Sequence, residues 1–163
     1  LFDALKGYFP VLLVKLFAAD FGLDDRAVAL VAIAAFIGHL WPVFFAFKGG
    51  KGVATAAGIL FGIEPLLGAA VMGTWLLVAF VFRYSSLAAL SASLLAPAYY
   101  LMGNQIVWQT SEAELLSVMV MSALLLIRHK DNIVRLVSGQ ESKIGAKKEA
   151  AEVAAEADAT DPR

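Results

Sequence analysis

A short glycine-rich segment with two lysines is the part of this sequence best suited to binding a charged ligand. It reads Lys48-Gly49-Gly50-Lys51-Gly52, and an apolar run typical of a helix follows it. Glycines on both sides of Lys51 let the backbone adopt positive φ and approach a ligand closely. Free N–H groups at the start of the next helix, together with the Lys51 ammonium, would attract a phosphate.

This segment differs from the P-loop of nucleotide-binding proteins. A P-loop would need glycine at position 45 and serine or threonine after the lysine, where this sequence has Phe45 and Gly52. A flexible turn between two membrane spans would also contain glycine and lysine. That alternative stays open on these residues alone.

Two serines begin a later apolar run, directly after Arg83-Tyr84. Ser85 or Ser86 could cap the helix that starts there, or donate a hydroxyl to a phosphate oxygen. Capping is the default expectation for serine at such a position.

A third polar segment, Arg128 to Lys143, follows the last apolar run. If the segment is helical, His129, Asn132 and Arg135 fall at i, i+3 and i+6 and share one face. That face offers an imidazole, an amide and a guanidinium to a polyol phosphate. A basic helix attracted to anionic lipid explains the same residues equally well.

His39 lies among apolar neighbours, some distance before the glycine-rich segment. A histidine inside a membrane span suggests a functional site, while a hydrogen bond to a neighbouring helix is an equally good explanation. With two histidines and no cysteine in the chain, we expect no metal site, no disulfide and no thiol chemistry.

The composition indicates a membrane protein. Of the 163 residues, 60% are hydrophobic and 17% are charged, whereas soluble domains have roughly 25% charged residues. The fold class is therefore predicted to be all-α, a polytopic transmembrane helix bundle. Six spans are predicted: Leu1–Ala19, Ala27–Phe47, Val53–Ile63, Leu66–Phe82, Ser86–Met102 and Leu115–Ile127.

Strict alternation of these spans separates the charges, with Lys15 and Arg26 as exceptions. Basic residues fall on one side: Lys48, Lys51, Arg83, Arg128, Lys130 and Arg135. Acidic residues fall on the other: Asp20, Asp24, Asp25, Glu64, Glu112 and Glu114. Because cytoplasmic loops carry an excess of Lys and Arg, we predict that the basic loops face the cytoplasm.

Residues 1–145 are predicted to form the membrane domain. Residues 146–163 are rich in Ala, Glu, Lys and Asp, and we expect a charged cytoplasmic tail that is disordered. The net charge is −1, and the basic residues cluster at span ends, so binding of nucleic acid is not expected. Membrane lipids are the expected surroundings.

Taken together, these segments resemble the bacterial acyl-phosphate:glycerol-3-phosphate acyltransferases. The resemblance covers Leu1 to about Gly145. It is carried by G-H-x-W-P-V-F from Gly38, F-K-G-G-K-G-V-A-T from Phe47, R-Y-x-S-L from Arg83, and R-H-x-x-N-I-x-R-L-x-x-G-x-E-x-K from Arg128. It implies an inner-membrane enzyme of seven spans, six of them visible here, with the N-terminal span and the family's first motif missing.

The resemblance also implies an activity and site residues. The activity is transfer of a fatty acyl group from acyl phosphate to the 1-position of glycerol 3-phosphate, giving lysophosphatidic acid and phosphate for phospholipid synthesis. Lys51, Ser86 and His129 are the expected catalytic residues. The expected substrate-binding residues are Gly49, Gly50, Gly52, Thr55, Asn132, Arg135 and His39.

Acyl phosphate is already an activated mixed anhydride, so positioning and charge stabilisation would suffice. We therefore expect direct attack by the glycerol hydroxyl, without an acyl-enzyme and without a cofactor. Two alternatives use the same basic loops: a transporter of phosphate esters, and a scaffold that binds anionic lipid. A transporter would need polar residues through the bilayer, whereas the predicted span centres are apolar.

Overall fold

The computed structural model describes residues 1–146, which form a helical bundle without β-strands. The helices, numbered in chain order, are α1 (Phe2–Phe17), α2 (Asp25–Leu40), α3 (Val53–Ile63), α4 (Pro65–Phe82), α5 (Ser85–Met102), α6 (Glu112–Arg128) and α7 (Lys130–Val137). Short 3₁₀ turns cover Ala18–Phe21 and Val43–Phe45. The all-α prediction is confirmed. The predicted tail, 146–163, lies outside the described residues except for position 146.

Local sequence explains where several helices begin and end. The Asp24 carboxylate caps α2 by accepting a hydrogen bond of 3.0 Å from the N–H of Arg26. The helix ends at Leu40, because the residue before Pro42 is disfavoured in helical conformation. The helix therefore ends before Phe47, although the apolar segment that contains α2 continues to Phe45. At the start of α4, Pro65 occupies a first-turn position that lacks an N–H partner anyway.

Within residues 1–146, three segments are long and apolar enough to cross a membrane: Asp25–Phe45, Pro65–Phe82 and Ser85–Met102. With 11 residues, α3 measures only about 16 Å, roughly half of a bilayer core. That α1, α3 and α6 also cross the whole bilayer, which would give six full spans, therefore stays a prediction.

Close packing joins α1 to α3, and the two helices run parallel. A Cβ on Gly7 would lie 2.5 Å from the Thr55 carbonyl oxygen, and one on Gly58 would overlap the backbone of Ala4. Further along, Lys15 forms an ion pair of 2.8 Å with Glu64. Since α1 and α3 run side by side in one direction, the start of α1 lies at the same end of the bundle as Lys51.

The remaining helices complete one packed core. Helix α4 packs on α5, α5 on α6, and α2 on both α1 and α6. Fully buried side chains such as Phe36, Leu40, Ile59 and Ile63 fill the space between α2 and α3 and their neighbours.

One carboxylate is buried within α6, a span that was predicted to begin only at Leu115. The Glu114 side chain is 4% exposed and accepts a hydrogen bond of 2.5 Å from the Tyr100 hydroxyl. That hydroxyl in turn accepts from the N–H of Ser111 at 3.0 Å. The contacts join the end of α5 to the start of α6, at the end of the bundle remote from Lys51.

Candidate active site

A cavity of about 660 Å³ lies between α3, α4, α5 and α6, with α7 at one end. That end is polar: Lys51, Ser86, His129, Asn132, Arg135 and Glu141 line it. The rest is mainly apolar and is lined by residues such as Val71, Met72, Ala89, Ala96, Met121 and Leu125. The cavity therefore joins a charged end to a hydrocarbon-like interior within a membrane bundle.

The turn after α7 brings a carboxylate back to the polar end. Gly139 has φ of +71°, a conformation that favours glycine. The N–H groups of Gln140 and Glu141 both donate to the carbonyl of Arg135, at 2.8 and 3.1 Å. The chain reverses at this point, so that Glu141 lies beside Asn132 and Arg135.

A continuous chain of hydrogen bonds crosses the polar end. Lys51 Nζ donates to Asn132 Oδ1 at 2.7 Å, and Asn132 Nδ2 donates to Glu141 Oε1 at 2.7 Å. Arg135 Nε donates to Glu141 Oε2, also at 2.7 Å. Glu141 thus fixes the orientation of the amide and the guanidinium, while Asn132 presents its oxygen to the lysine.

Glu141 is ionised at neutral pH. Although burial raises the pKa of this carboxyl, contacts with Ser86, Asn132 and Arg135 outweigh burial and lower the pKa to about 2. Its negative charge partly offsets Lys51 and Arg135, so the polar end holds paired charges of both signs.

His129 lies between α6 and α7, is 2% exposed, and lines the cavity. Its Nδ1 lies 2.9 Å from the carbonyl oxygen of Leu125. Because a carbonyl can only accept, Nδ1 carries the proton and Nε2 of the neutral ring is an acceptor. Burial and the charge of Lys51 lower the pKa of His129, against the raising effect of the Leu125 contact. The neutral ring is favoured at pH 7.

Ser86 contributes a hydroxyl to the cavity rather than a helix cap. Helix α5 begins at Ser85 after Tyr84, and no side chain caps it, so the expected capping role was wrong. The Ser86 Oγ is buried and makes no well-formed hydrogen bond within residues 1–146. It lies close enough to Glu141 to help lower the pKa of that carboxyl. A ligand at the polar end could therefore compete with Glu141 for this hydroxyl.

The glycine-rich segment packs against the end of α2 and, apart from Lys51, does not line the cavity. A Cβ on Gly49 would overlap the carbonyl of His39, and one on Gly50 would lie 2.5 Å from His39 Nε2. Gly52 has φ of +86°, and a Cβ there would lie 2.5 Å from the Phe36 ring. Gly49 and Gly52 therefore require glycine, for packing on backbone and for positive φ respectively, whereas a Cβ on Gly50 would displace the His39 ring.

His39 and Thr55, expected to bind substrate, do not line the cavity. His39 contacts Gly50, and its Nδ1 lies 3.7 Å from an oxygen of Asp3. Thr55 is fully buried against Gly7 of α1. The cavity collects Lys51, Ser86, His129, Asn132 and Arg135 from the predicted set.

Two residues of this region were missing from the predicted set. Glu141 holds two predicted site residues, and its position in the R-H-x-x-N to E-x-K run was the available signal. Arg128 donates to the carbonyl oxygens of Gly49 and Gly50 at 3.1 Å each. Nothing in the sequence indicates that second contact, because it joins segments nearly 80 positions apart.

The fold and the cavity define the class: an integral membrane helix bundle with a cavity that is basic and polar at one end and apolar beyond. Comparison with known proteins identifies the family within that class. The model of the family "Glycerol-3-phosphate acyltransferase" matches residues 1–139. The chain belongs to the glycerol-3-phosphate acyltransferase family.

Curated relatives with that name are close in sequence. The chain is 57% identical to one from Paraburkholderia phymatum over 91% of its own length and 68% of the relative. It is 50% identical to one from Albidiferax ferrireducens, over 90% of the chain and 66% of the relative. The chain thus spans about two thirds of the length of these relatives.

Two solved structures share the fold. Both are of PlsY, described as an integral membrane glycerol 3-phosphate acyltransferase. The glycerol 3-phosphate form matches with a TM-score of 0.79 and 35% identity, over 91% of this chain and 70% of that one. The lysophosphatidic acid form matches with a TM-score of 0.76 and 36% identity, over 86% of this chain and 68% of that one.

Proposed function

We propose that this protein transfers a fatty acyl group from acyl phosphate to the 1-hydroxyl of glycerol 3-phosphate, releasing phosphate and lysophosphatidic acid. One observation carries the proposal. A single cavity continues from a polar end with Lys51, His129 and Asn132 into an interior lined by apolar side chains. An anionic head group attached to an acyl chain has the same distribution of polarity. The forms named for the two solved relatives, glycerol 3-phosphate and lysophosphatidic acid, agree with this ligand class.

The proposed roles follow from position at the polar end. Lys51, with the backbone of Gly49, Gly50 and Gly52, stabilises charge that grows on the departing phosphate. Asn132, Arg135 and the Ser86 hydroxyl bind glycerol 3-phosphate. A bound phosphate would take the Lys51 ammonium from the Asn132 oxygen, since a charged acceptor forms the stronger hydrogen bond. Thr55 and His39 are left out of this binding set because neither lines the cavity. The glycines do not line it either, and they enter the proposal only through backbone N–H groups next to Lys51.

The reaction is a direct displacement at the acyl carbon. The 1-hydroxyl oxygen forms a bond to the acyl carbonyl carbon, and the bond between that carbon and the phosphate oxygen breaks. The electron pair of the broken bond leaves with the phosphate. The hydroxyl proton passes to Nε2 of the neutral His129 or to a phosphate oxygen of a substrate. No acyl-enzyme forms, because the leaving group is already good.

We further propose that the polar end faces the cytoplasm across the bacterial inner membrane. Lys48, Lys51, Arg128 and Lys130 all lie near this end of the bundle, and an excess of basic residues marks the cytoplasmic side. Both substrates would then enter from the compartment in which they are made. The acyl chain would extend into the bilayer-embedded interior of the cavity.

The test is turnover by the purified protein in detergent, with acyl phosphate and glycerol 3-phosphate as substrates. Phosphate should be released in a one-to-one ratio with acyl product. Lys51→Ala should lower the rate by at least about a hundredfold, a typical loss on removing one charge-stabilising group. Lys48→Ala is the matched control, because it removes the same charge from the same segment at a position that does not line the cavity.

Three outcomes would each contradict part of the proposal. Labelled acyl protein after incubation with acyl phosphate alone would exclude direct displacement. Uptake of phosphate ester into vesicles without turnover would favour a transporter. Equal loss of activity in Lys48→Ala and Lys51→Ala would show that the whole loop charge matters rather than the group on the cavity.

A further inference from the structure

Arg128, the last residue of α6, makes contacts that no proposed substrate role explains. Its guanidinium donates from one terminal nitrogen to the carbonyl oxygens of both Gly49 and Gly50, at 3.1 Å each. The same guanidinium lies 5.8 Å from the centroid of the Trp41 ring, within the range of a cation–π contact. Arg128 does not line the cavity, so it would act on the site through the loop.

Holding these two carbonyls also sets the direction of two N–H groups. In a planar trans peptide the C=O and the following N–H point in opposite directions. The carbonyl of Gly49 shares its peptide plane with the N–H of Gly50, and the carbonyl of Gly50 shares one with the N–H of Lys51. Because both carbonyls point to Arg128, both N–H groups point away from it.

In the described part of the chain, these N–H groups are available to donate to a ligand. Neither donates a hydrogen bond to another group within residues 1–146. A second contact restrains the loop, because Gly49 and Gly50 pack on His39 at the end of α2. With this packing, and with the carbonyls bonded to Arg128, the two peptide planes have little freedom to rotate.

We propose that Arg128 is a positioning residue that locks the peptide planes of the loop so that the N–H groups of Gly50 and Lys51 converge on the anion. The proposal rests on the proposed function, since the anion is the phosphate of the acyl donor. The positive charge of Arg128 serves the carbonyls and not the ligand. The Trp41 ring supports this arrangement through its contact with the Arg128 guanidinium.

The experiment compares Arg128→Gln, Arg128→Lys and Trp41→Phe with the unaltered protein. KM for acyl phosphate, KM for glycerol 3-phosphate and kcat are measured separately, and the inhibition constant of inorganic phosphate is measured as a readout of anion binding. Lys130→Gln is the control, because it removes a positive charge two positions away on an exposed side chain.

For Arg128→Gln we expect KM for acyl phosphate and the inhibition constant of phosphate to rise about tenfold, the effect of losing one charge-assisted hydrogen bond. KM for glycerol 3-phosphate should change less than about threefold. For Arg128→Lys both constants should lie between those of the unaltered protein and those of Arg128→Gln. An ammonium can donate to the carbonyls but lacks the flat guanidinium that contacts Trp41. Trp41→Phe should give a smaller rise in the same two constants, and Lys130→Gln none.

A second measurement tests anion binding without requiring turnover. Amide nitrogen-15 shifts of Gly50 and Lys51 are followed while inorganic phosphate is added to the protein in detergent. Both amide signals should shift in the unaltered protein. In Arg128→Gln the same shifts should need about a tenfold higher phosphate concentration. Unchanged anion constants in Arg128→Gln, or equal losses for both substrates, would overturn the proposal. Absence of product from the unaltered protein would instead count against the proposed function.

Discussion

The ammonium of Lys51 and the amide oxygen of Asn132 are joined by a hydrogen bond of 2.7 Å, although 81 positions separate the two residues. This contact closes the polar end of the cavity between the start of α3 and the start of α7. It also explains how two distant motifs can serve one phosphate-bearing substrate. The amide is the right group at this point, because its oxygen faces a cation while its nitrogen faces the carboxylate of Glu141 at 2.7 Å.

The first prediction concerns Asn132→Asp. A carboxylate at this position would pair permanently with Lys51, and its second oxygen would face Glu141, where like charges repel. We expect at least a hundredfold loss in kcat/KM for glycerol 3-phosphate, about 2.7 kcal/mol of transition-state stabilisation. Asn104→Asp is the control, since the Asn104 oxygen only accepts, from the N–H of Thr110 at 3.2 Å. Equal activity of the two variants would contradict the assigned role.

The second prediction concerns the pH dependence of stability through Glu141. Its pKa lies near 2 rather than 4.5, so its stabilising contribution is fully present above pH 4.5 and is lost as pH falls towards 2. This shift sets an upper limit of about 3 kcal/mol at neutral pH, which solvent screening reduces. Glu141→Gln should therefore unfold more easily at pH 7. The difference in stability should shrink between pH 4.5 and 2, measured by thermal unfolding in detergent, and a constant difference would rule out the ionised contact as its source.

The third prediction concerns the pH profile of the reaction. In the route through His129 its neutral form accepts the proton, and its pKa in the free protein lies below the usual 6.5, so protonation should lower kcat/KM only below pH 6.5. His129→Gln keeps a polar side chain but cannot take up a proton, and we expect a loss of about a hundredfold or more. The fall in rate at low pH that protonation of His129 causes should be absent in this variant. The same fall in both proteins would assign the titration to the substrate phosphate, whose second pKa is about 6.

The pattern of charges predicted which residues meet, and the structure shows why it could. Alternation of spans assigned Lys51 and Asn132 to one side of the bundle, and helical spacing placed His129, Asn132 and Arg135 on one face. Both arguments need only periodicity and direction. They are insensitive to small errors in helix length, and both groupings are found at the cavity.

Contacts made by loops could not be predicted in this way. The return of Glu141 depends on the turn at Gly139, and the Arg128 contacts depend on how α6 ends beside the loop. Hydropathy extended the second span to Phe47, whereas backbone sterics before Pro42 end the helix at Leu40. Glu114 was placed outside a span because its burial depends on a partner, Tyr100, in the neighbouring helix.

A fourth prediction tests the packing of α1 on α3. Gly58→Ala would place a Cβ onto the backbone of Ala4, so the helices must separate, at a cost of about 2 kcal/mol. Gly73→Ala in α4 is the matched control, because nothing lies within 4 Å of a Cβ there. The control should be neutral or stabilising by up to about 1 kcal/mol. Thermal unfolding in detergent measures both, and equal midpoints would show that the α1–α3 contact is looser than described.

The fifth prediction uses the apolar interior to select acyl chains. Ala96 lines the cavity and lies ten residues along α5 from Ser86, or about 15 Å from the polar end. Ala96→Leu would fill the far part of the cavity, so that a long chain is obstructed and a short one still fits. We expect kcat/KM to fall about tenfold for palmitoyl phosphate and less than about threefold for octanoyl phosphate. Ala98→Leu, at an exposed position on the same helix, should change neither. An equal fall for both donors would mean that the acyl chain leaves the cavity before it reaches Ala96.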